Sequence, residues 1–302
     1  MSQEILDFVG RRKKEINALI MAHFYQPPEI QDVADLVGDS LELARQAALA
    51  DADVIVLCGV SFMGESAKIL NPTKMVLLPE PSAGCPMADM VTSETLRARK
   101  AQYPEAVVVS YVNTSAEVKA ESDICCTSSN AIAVVNSIPA DRPIIFVPDR
   151  NLGSYITRQT GRDMILWEGC CPIHDLVSQE QVEEQKRLHP GVPVVVHPEC
   201  PPEVTMMADA VLSTAGIIKY IGSRPDPEFI IGTEEGLLYK LQKDYPEKRF
   251  YLARNDFRCS DMKAITLPVL ASAMEKLEHQ VEVAENIRIK AYQALQRMLN
   301  IK

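Results

Sequence analysis

No two of the eight cysteines stand in a C-x-x-C spacing, which excludes zinc ribbons, zinc fingers and dithiol redox motifs. No apolar run reaches the roughly 18 residues that a membrane helix needs. No hydrophobic leader accompanies the basic cluster Arg11-Arg12-Lys13-Lys14; residues 1–20 read as an amphipathic helix, not as a signal peptide. Positive charge is in deficit. Lys and Arg number 31 against 41 Asp and Glu, a formal net charge of −10, which argues against a general nucleic-acid binder. There is no low-complexity linker. Eight cysteines without secretory features point to a reducing, cytoplasmic setting and to metal chemistry rather than disulfides.

What is present is a sequence told three times. Cys85-Pro86-Met87-Ala88-Asp89-Met90-Val91 matches Cys171-Pro172-Ile173-His174-Asp175-Leu176-Val177 at a shift of 86 residues. The same shift places Tyr111 on His197, Asn113 on Glu199, Asp123 on Asp209, Thr127 on Ser213 and Ser128 on Thr214. A shift of 88 carries His23 to Tyr111, Tyr25 to Asn113, Asp35 to Asp123 and Ser40 to Ser128. Each copy has an apolar strand ending in a polar-x-polar pair, then a hydroxyl, and finally a cysteine: Cys85, Cys171, Cys259. Copies of domain size close a ring more readily than they build a filament. Three equivalent thiols can then meet at one point with a coordination position left open, which suits a catalytic centre rather than a closed structural one.

A hydrophobic content of 47% is ample for buried cores. The pattern in each unit predicts strand, helix, strand, helix, strand. Strands are expected at residues 20–22, 54–57 and 75–78, then 107–109, 144–147 and 164–166, then 194–196, 229–231 and 249–252. In the first unit, helices are expected over 30–50 (with a break at Gly38-Asp39-Ser40) and 62–70. Short continuous apolar runs suit parallel strands. The expected class is α/β: three homologous three-layer α/β/α domains with parallel sheets about a pseudo-threefold axis. Their expected bounds are 1–84 with 262–302, 85–170, and 171–261, the C-terminal helices packing back on the first unit. Ligands of such sheets bind at the strand carboxyl ends, where the polar pairs fall.

Plainer readings compete for single residues. A buried strand cysteine is a small core residue, which suits Cys58 and Cys200. Cys125-Cys126 and Cys170-Cys171 are vicinal pairs, poor as disulfides and as double ligands of one metal. Alignment with Cys85 and a shared following proline select Cys171 over Cys170. Ser40, Ser128, Ser213 and Thr214 fit helix N-cap positions, and helix starts aimed at a centre also bind anions. One strand-end histidine is most often structural; two in matched positions, His23 and His197, point to function. His189 and His279 read as surface residues. Zinc and an iron–sulfur cluster both accept thiolates. A three-cysteine zinc recruits a fourth protein ligand. A [4Fe–4S] cluster on three cysteines instead leaves one iron open as a Lewis acid, and is favoured.

Nine stretches resemble the quinolinate synthase family, and the likeness covers nearly the whole chain. They are Ala22-His23-Phe24-Tyr25-Gln26; Val37-Gly38-Asp39-Ser40; Phe62-Met63-Gly64-Glu65; Gly84-Cys85-Pro86-Met87-Ala88; Tyr111-Val112-Asn113-Thr114; Val147-Pro148-Asp149-Arg150-Asn151-Leu152-Gly153; Cys171-Pro172-Ile173-His174; Val196-His197-Pro198-Glu199-Cys200-Pro201; and Gly232-Thr233-Glu234. Ser260-Asp261-Met262-Lys263 departs from the Asn-Met-Lys usual after the third cysteine, and the C-x-x-C-x-x-C triplet of some members is absent. The resemblance implies a triplicated α/β fold around a [4Fe–4S] cluster on Cys85, Cys171 and Cys259. It implies condensation of iminoaspartate with dihydroxyacetone phosphate to quinolinate, phosphate and water. Catalytic roles would fall to Tyr25, Glu199, His23 and His197, with Glu199 the base and Tyr25 the proton donor or acceptor. Substrate would be held by His23, Ser40, Tyr111, Asn113, Ser128, His174, His197, Glu199, Ser213 and Thr214. Functional coupling to an aspartate-oxidising enzyme is expected, with no nucleic-acid or membrane partner. Two other classes fit three thiols: a zinc-dependent triose-phosphate aldolase, which metal analysis separates, and a non-catalytic cluster redox sensor, which has no use for so many polar strand-end residues.

Overall fold

The computed structural model describes residues 2–301. Eight elements recur three times in one order. The first set is α1 (Ser2–Glu15), β1 (Ala18–His23), α2 (Pro28–Val33), β2 (Leu36–Gly38), α3 (Ser40–Leu49), β3 (Val54–Cys58), α4 (Ser61–Leu70) and β4 (Met75–Leu77). The second is α5 (Ser93–Gln102), β5 (Val107–Tyr111), α6 (Ala116–Ala120), β6 (Ile124–Cys126), α7 (Ala131–Asn136), β7 (Ile144–Val147), α8 (Arg150–Thr160) and β8 (Ile165–Leu166). The third is α9 (Gln179–Leu188), β9 (Val194–Val196), α10 (Pro202–Met206), β10 (Ala210–Val211), α11 (Thr214–Ser223), β11 (Glu228–Gly232), α12 (Gly236–Asp244) and β12 (Arg249–Leu252). Two helices follow, α13 (Leu267–Lys276) and α14 (Glu285–Asn300).

The strands form three four-stranded parallel sheets ordered β2-β1-β3-β4, β6-β5-β7-β8 and β10-β9-β11-β12. The order reverses beside the first strand of each sheet, so the carboxyl ends of β1, β5 and β9 open onto a crevice. One carboxylate makes this corner three times. Asp35, Asp123 and Asp209 accept the backbone N–H of Ile20, Val108 and Val194 at 2.9, 2.8 and 2.8 Å. Each donates its own N–H back to the carbonyl of the same residue. Helix starts repeat too: Thr92 with Thr95 and Ser178 with Gln181 form capping boxes at α5 and α9.

The α/β class with parallel sheets is as expected, but each sheet has four strands rather than three. The additional strands β2, β6 and β10 are three, three and two residues long. So short a segment has no readable period; it is strand only because it pairs with the central strand, as Met21, Ala22 and His23 do with Leu36, Val37 and Gly38. The helix expected over 30–50 is therefore α2, β2 and α3.

Alternate residues of each strand face different cores. Met21, Ile55, Val109, Phe146, Val195 and Ile231 belong to one cluster shared by all three sheets. Their neighbours are partitioned: Ile20 and Val56 into one private core, Val108 and Ile145 into a second, Val194 and Ile230 into a third. Burying a side chain of this size contributes about 1.5–3 kcal/mol, so the shared face binds the three sheets together.

The tail differs from expectation in part. α13 lies on α1, within the first unit. α14 lies on α6, β6 and α4, with Ala291, Ala294, Leu295 and Met298 buried. It covers the open edge strand of the second sheet, which needs protection from stray pairing. Met1 and Lys302, the expected ends of the first and last helices, lie outside the described residues. Among the described residues no helix is long and apolar enough to cross a membrane.

Candidate active site

The loops at the carboxyl ends of the three sheets enclose a cavity of about 280 Å³. Thirteen of the fourteen expected site residues line it: His23, Tyr25, Ser40, Cys85, Tyr111, Asn113, Ser128, Cys171, His174, His197, Glu199, Thr214 and Cys259. Ser213 does not. It caps α11, accepting Gly216 N–H at 3.2 Å.

Each thiol stands on the loop that follows the last strand of a sheet. Burial pushes Cys85 up to about 12, with Glu199 and Cys259 adding to the effect. Burial raises Cys171 well above its ordinary value, and Glu199 and Cys85 raise it further. Cys259 is raised by burial as well. Three half-buried thiols whose ionisation is disfavoured, Cys259 acting on Cys85 and Cys85 on Cys171, fit a cationic metal centre, which takes them as thiolates and releases their protons. Cys170 does not line the cavity; it sits half-buried beside Arg150 and Asp175. Cys58, Cys125, Cys126 and Cys200 are core residues.

His23 and His197 are held alike. The Tyr25 N–H donates to His23 Nδ1 at 3.1 Å, and the Glu199 N–H donates to His197 Nδ1 at 3.3 Å. Each ring therefore carries its proton on Nε2. For His197 that atom is 3.2 Å from Ser128 Oγ. Burial lowers both imidazoles to about 3, so near neutral pH they are uncharged hydrogen-bond donors.

A chain of side chains joins residues of all three units. Tyr25 Oη is 2.6 Å from Thr233 Oγ1, and that hydroxyl is 3.0 Å from His174 Nε2. His174 Nδ1 is 2.8 Å from Glu199 Oε2. Tyr111 Oη donates to Glu199 Oε1 at 2.6 Å. Burial alone would raise the Glu199 carboxyl; His197, His174 and the hydrogen bond from Tyr111 more than offset it and hold the group ionised below the usual range. Tyr25 goes the other way: burial, and then the Glu199 charge, raise its phenol well above the ordinary value. One end of the chain is a retained proton and the other a carboxylate. Cys171 Sγ, His174 and Glu199 also lie within 4.8 Å of one another.

Helix starts close one wall. Ser40 and Thr214 are the first residues of α3 and α11, whose caps are Asp39 and Ser213, so the two hydroxyls are not themselves caps as expected. Ser128 precedes α7 in a turn, and Asn130 stands at the cap position. A chain-local cap leaves the first helical side chain free to face the cavity. Ser129 Oγ ties these starts together, donating to Asp39 Oδ2 at 2.6 Å and accepting from the Ser213 hydroxyl at 2.9 Å. Among the described residues, Asn113 Oδ1 is buried without a protein partner.

Sequence reasoning missed the residues that support this arrangement. Thr233 is the middle of the Tyr25–His174 link. Glu234, wholly buried, accepts the Cys259 N–H at 3.1 Å and pairs with Lys263 at 2.7 Å. Lys263 Nζ also donates to the Tyr25 carbonyl. Gly236 permits that approach, since a Cβ there would lie 2.8 Å from the Tyr25 backbone. Asn151 Nδ2 donates to the Glu199 carbonyl at 3.0 Å. The signal for Thr233 and Glu234 was their place just after the middle strand β11; Asn151 stood within a family-like stretch and Lys263 just after the third cysteine, without a role assigned to either.

Comparison with known proteins adds to the geometry. Residues 7–300 match the family model described as "NadA: Quinolinate synthetase A protein". The chain is 52% identical over 299 residues to "Quinolinate synthase" of Desulforudis audaxviator, covering 99% of each chain. It is 51% identical over 297 residues to "Quinolinate synthase 2" of Methanosarcina acetivorans, covering 98% of this chain and 96% of that one. With "Quinolinate synthase" of Dehalococcoides mccartyi it shares 50% identity over 293 residues, 97% of each.

Proposed function

Because the chain belongs to the quinolinate synthetase A family and its activity is that of a quinolinate synthase, we propose that the cavity joining its three sheets is where that chemistry occurs. The observation that carries the reading is the convergence of Cys85, Cys171 and Cys259, from three separate sheets, on a cavity that also holds Tyr25, His23, His197 and Glu199. The three thiols would hold a [4Fe–4S] cluster, and such a cluster supplies an iron free to act as a Lewis acid. We read the chain as three units bounded near these cysteines.

The substrates are iminoaspartate and dihydroxyacetone phosphate. Their condensation forms one carbon–carbon and one carbon–nitrogen bond and releases one phosphate and two waters, which balances to quinolinate. The imine is the two-electron oxidation product of aspartate, so an aspartate-oxidising enzyme is a fitting source of it. Both substrates are anions. His23 and His197 offer neutral Nε2–H donors, Ser40, Ser128 and Thr214 offer hydroxyls at helix starts, and Tyr111 and Asn113 complete the binding wall. Glu199, ionised, removes a proton; Tyr25, protonated, returns one. Thr233 and His174 lie between them and can carry a proton from base to donor without water.

The experiment is a quinolinate assay on anaerobically purified, cluster-loaded protein given both substrates, or either alone. Quinolinate with both and neither alone is expected. Cleavage or formation of triose-phosphate aldol products by a zinc-loaded protein, without quinolinate, would favour the aldolase instead.

A further inference from the structure

Two of the loops that line the cavity are held from behind by residues in the same repeat position. α2 and α6 begin at Pro28 and Ala116, and the fourth residue of each, Gln31 and Lys119, turns back to its own loop. Gln31 Nε2 donates to the Phe24 and Gln26 carbonyls, both at 2.9 Å, on either side of Tyr25. Lys119 Nζ donates to the Val112 carbonyl at 2.8 Å and to the Thr114 carbonyl, on either side of Asn113. Lys119 is wholly buried, over the face of Phe62 at 5.5 Å. A buried ammonium is costly unless its donors are used, and these two carbonyls use two of its three.

The third loop is braced differently. The equivalent residue is Thr205, whose hydroxyl donates to the Pro202 carbonyl at 2.9 Å and accepts from Arg158 at 2.6 Å. Pro198, Pro201 and Pro202 restrict that loop themselves, and Asn151 holds the Glu199 carbonyl. The three presented residues also differ in what holds their side chains. Tyr25 and Glu199 have side-chain partners, whereas the Asn113 carbonyl oxygen is buried and unpartnered. Among the described residues no protein partner holds that oxygen, so its aim depends on the two peptide planes that Lys119 grips.

We propose that Lys119 is a positioning residue for substrate binding: through the Val112 and Thr114 carbonyls it sets the loop that presents Tyr111 and Asn113, as Gln31 does for Tyr25. This rests on the reading of the cavity as the substrate site. The donors matter, not the charge, because a neutral amide does the same task one repeat earlier.

The test compares Lys119→Met, which removes both donors, with Lys119→Gln, which installs the group used at Gln31, in cluster-loaded protein. K119M should raise KM for at least one substrate about tenfold or more, with kcat within about threefold. K119Q should recover wild-type KM to within about threefold. A purely structural role would lower the melting temperature and leave KM alone. Wild-type KM in K119M would overturn the inference, and so would a K119Q as impaired as K119M. If K119M does not fold or load its cluster, K119Q decides: near wild-type KM supports the clamp, and a raised KM in folded, loaded K119Q overturns it. Wild-type protein that makes no quinolinate would strike down the reading of the cavity and this inference with it; active wild type beside unimpaired K119M strikes down the inference alone.

Discussion

The loops after β1 and β9 are one backbone used twice. In each, a histidine ends the strand or directly follows it, its Nδ1 accepts the N–H two residues on, and burial keeps the ring neutral. The residue that supplies that N–H differs. In the first loop it is Tyr25, which keeps its proton; in the third it is Glu199, which keeps its charge. A repeated scaffold presents a protonated phenol in one loop and an ionised carboxylate in the other, and environment separates the two states, as the proposed roles of donor and base require. The middle loop has Tyr111 and Asn113 in these places, and its tyrosine donates to the Glu199 carboxylate.

This contrast can be broken at several points. Glu199→Gln keeps the size and removes the charge; kcat should fall by about a thousandfold with the cluster retained. Tyr25→Phe should lower kcat by about a hundredfold, also with the cluster retained. Equal, small effects in steady-state assays would dissolve the distinction between the loops. Thr233→Val removes the hydroxyl between Tyr25 and His174 and should cost about tenfold in kcat, the worth of one buried hydrogen bond. An unchanged rate would mean that protons reach Tyr25 by another route.

The histidines supply the smallest effect and a signed one. Both are held near 3 in the folded protein against 6.5 in the unfolded chain. Below pH 6.5 the unfolded chain takes up protons that the folded one refuses. Stability is therefore full above that value and falls with falling pH. The slope is about 1.4 kcal/mol per pH unit per histidine once the unfolded imidazoles are charged. The window from pH 6.5 to about 4.5 isolates this from the unfolded carboxylates. Denaturant melts across it should show the slope reduced by one share in His23→Asn and by one share in His197→Asn. An undiminished slope in both would mean that these rings charge without cost to the fold.

The sequence made the repeat legible because equivalent residues stand at constant shifts, and the site legible because the polar pairs fall at strand ends. Cys85, Cys171 and Cys259 were found that way. What could not be read was anything settled between units. β2, β6 and β10 exist through pairing with a central strand, not through their own two or three residues. α14 carries a readable apolar stripe, but the edge it covers belongs to the second sheet. Glu234 and Lys263 look like an ordinary acid and an ordinary base until folding brings the third thiol loop beside the Tyr25 loop. Ser213, expected both as a helix cap and as a substrate contact, is the cap of α11 and does not line the cavity.

The central claim is that one sulfur from each of three copies holds a single inorganic centre, and metal content tests it most directly. Anaerobically isolated protein should contain about four iron and about four sulfide per chain. That content should persist in Cys170→Ala and be lost in Cys85→Ala, Cys171→Ala and Cys259→Ala. Zinc without sulfide, or full iron and sulfide in Cys171→Ala, would contradict it.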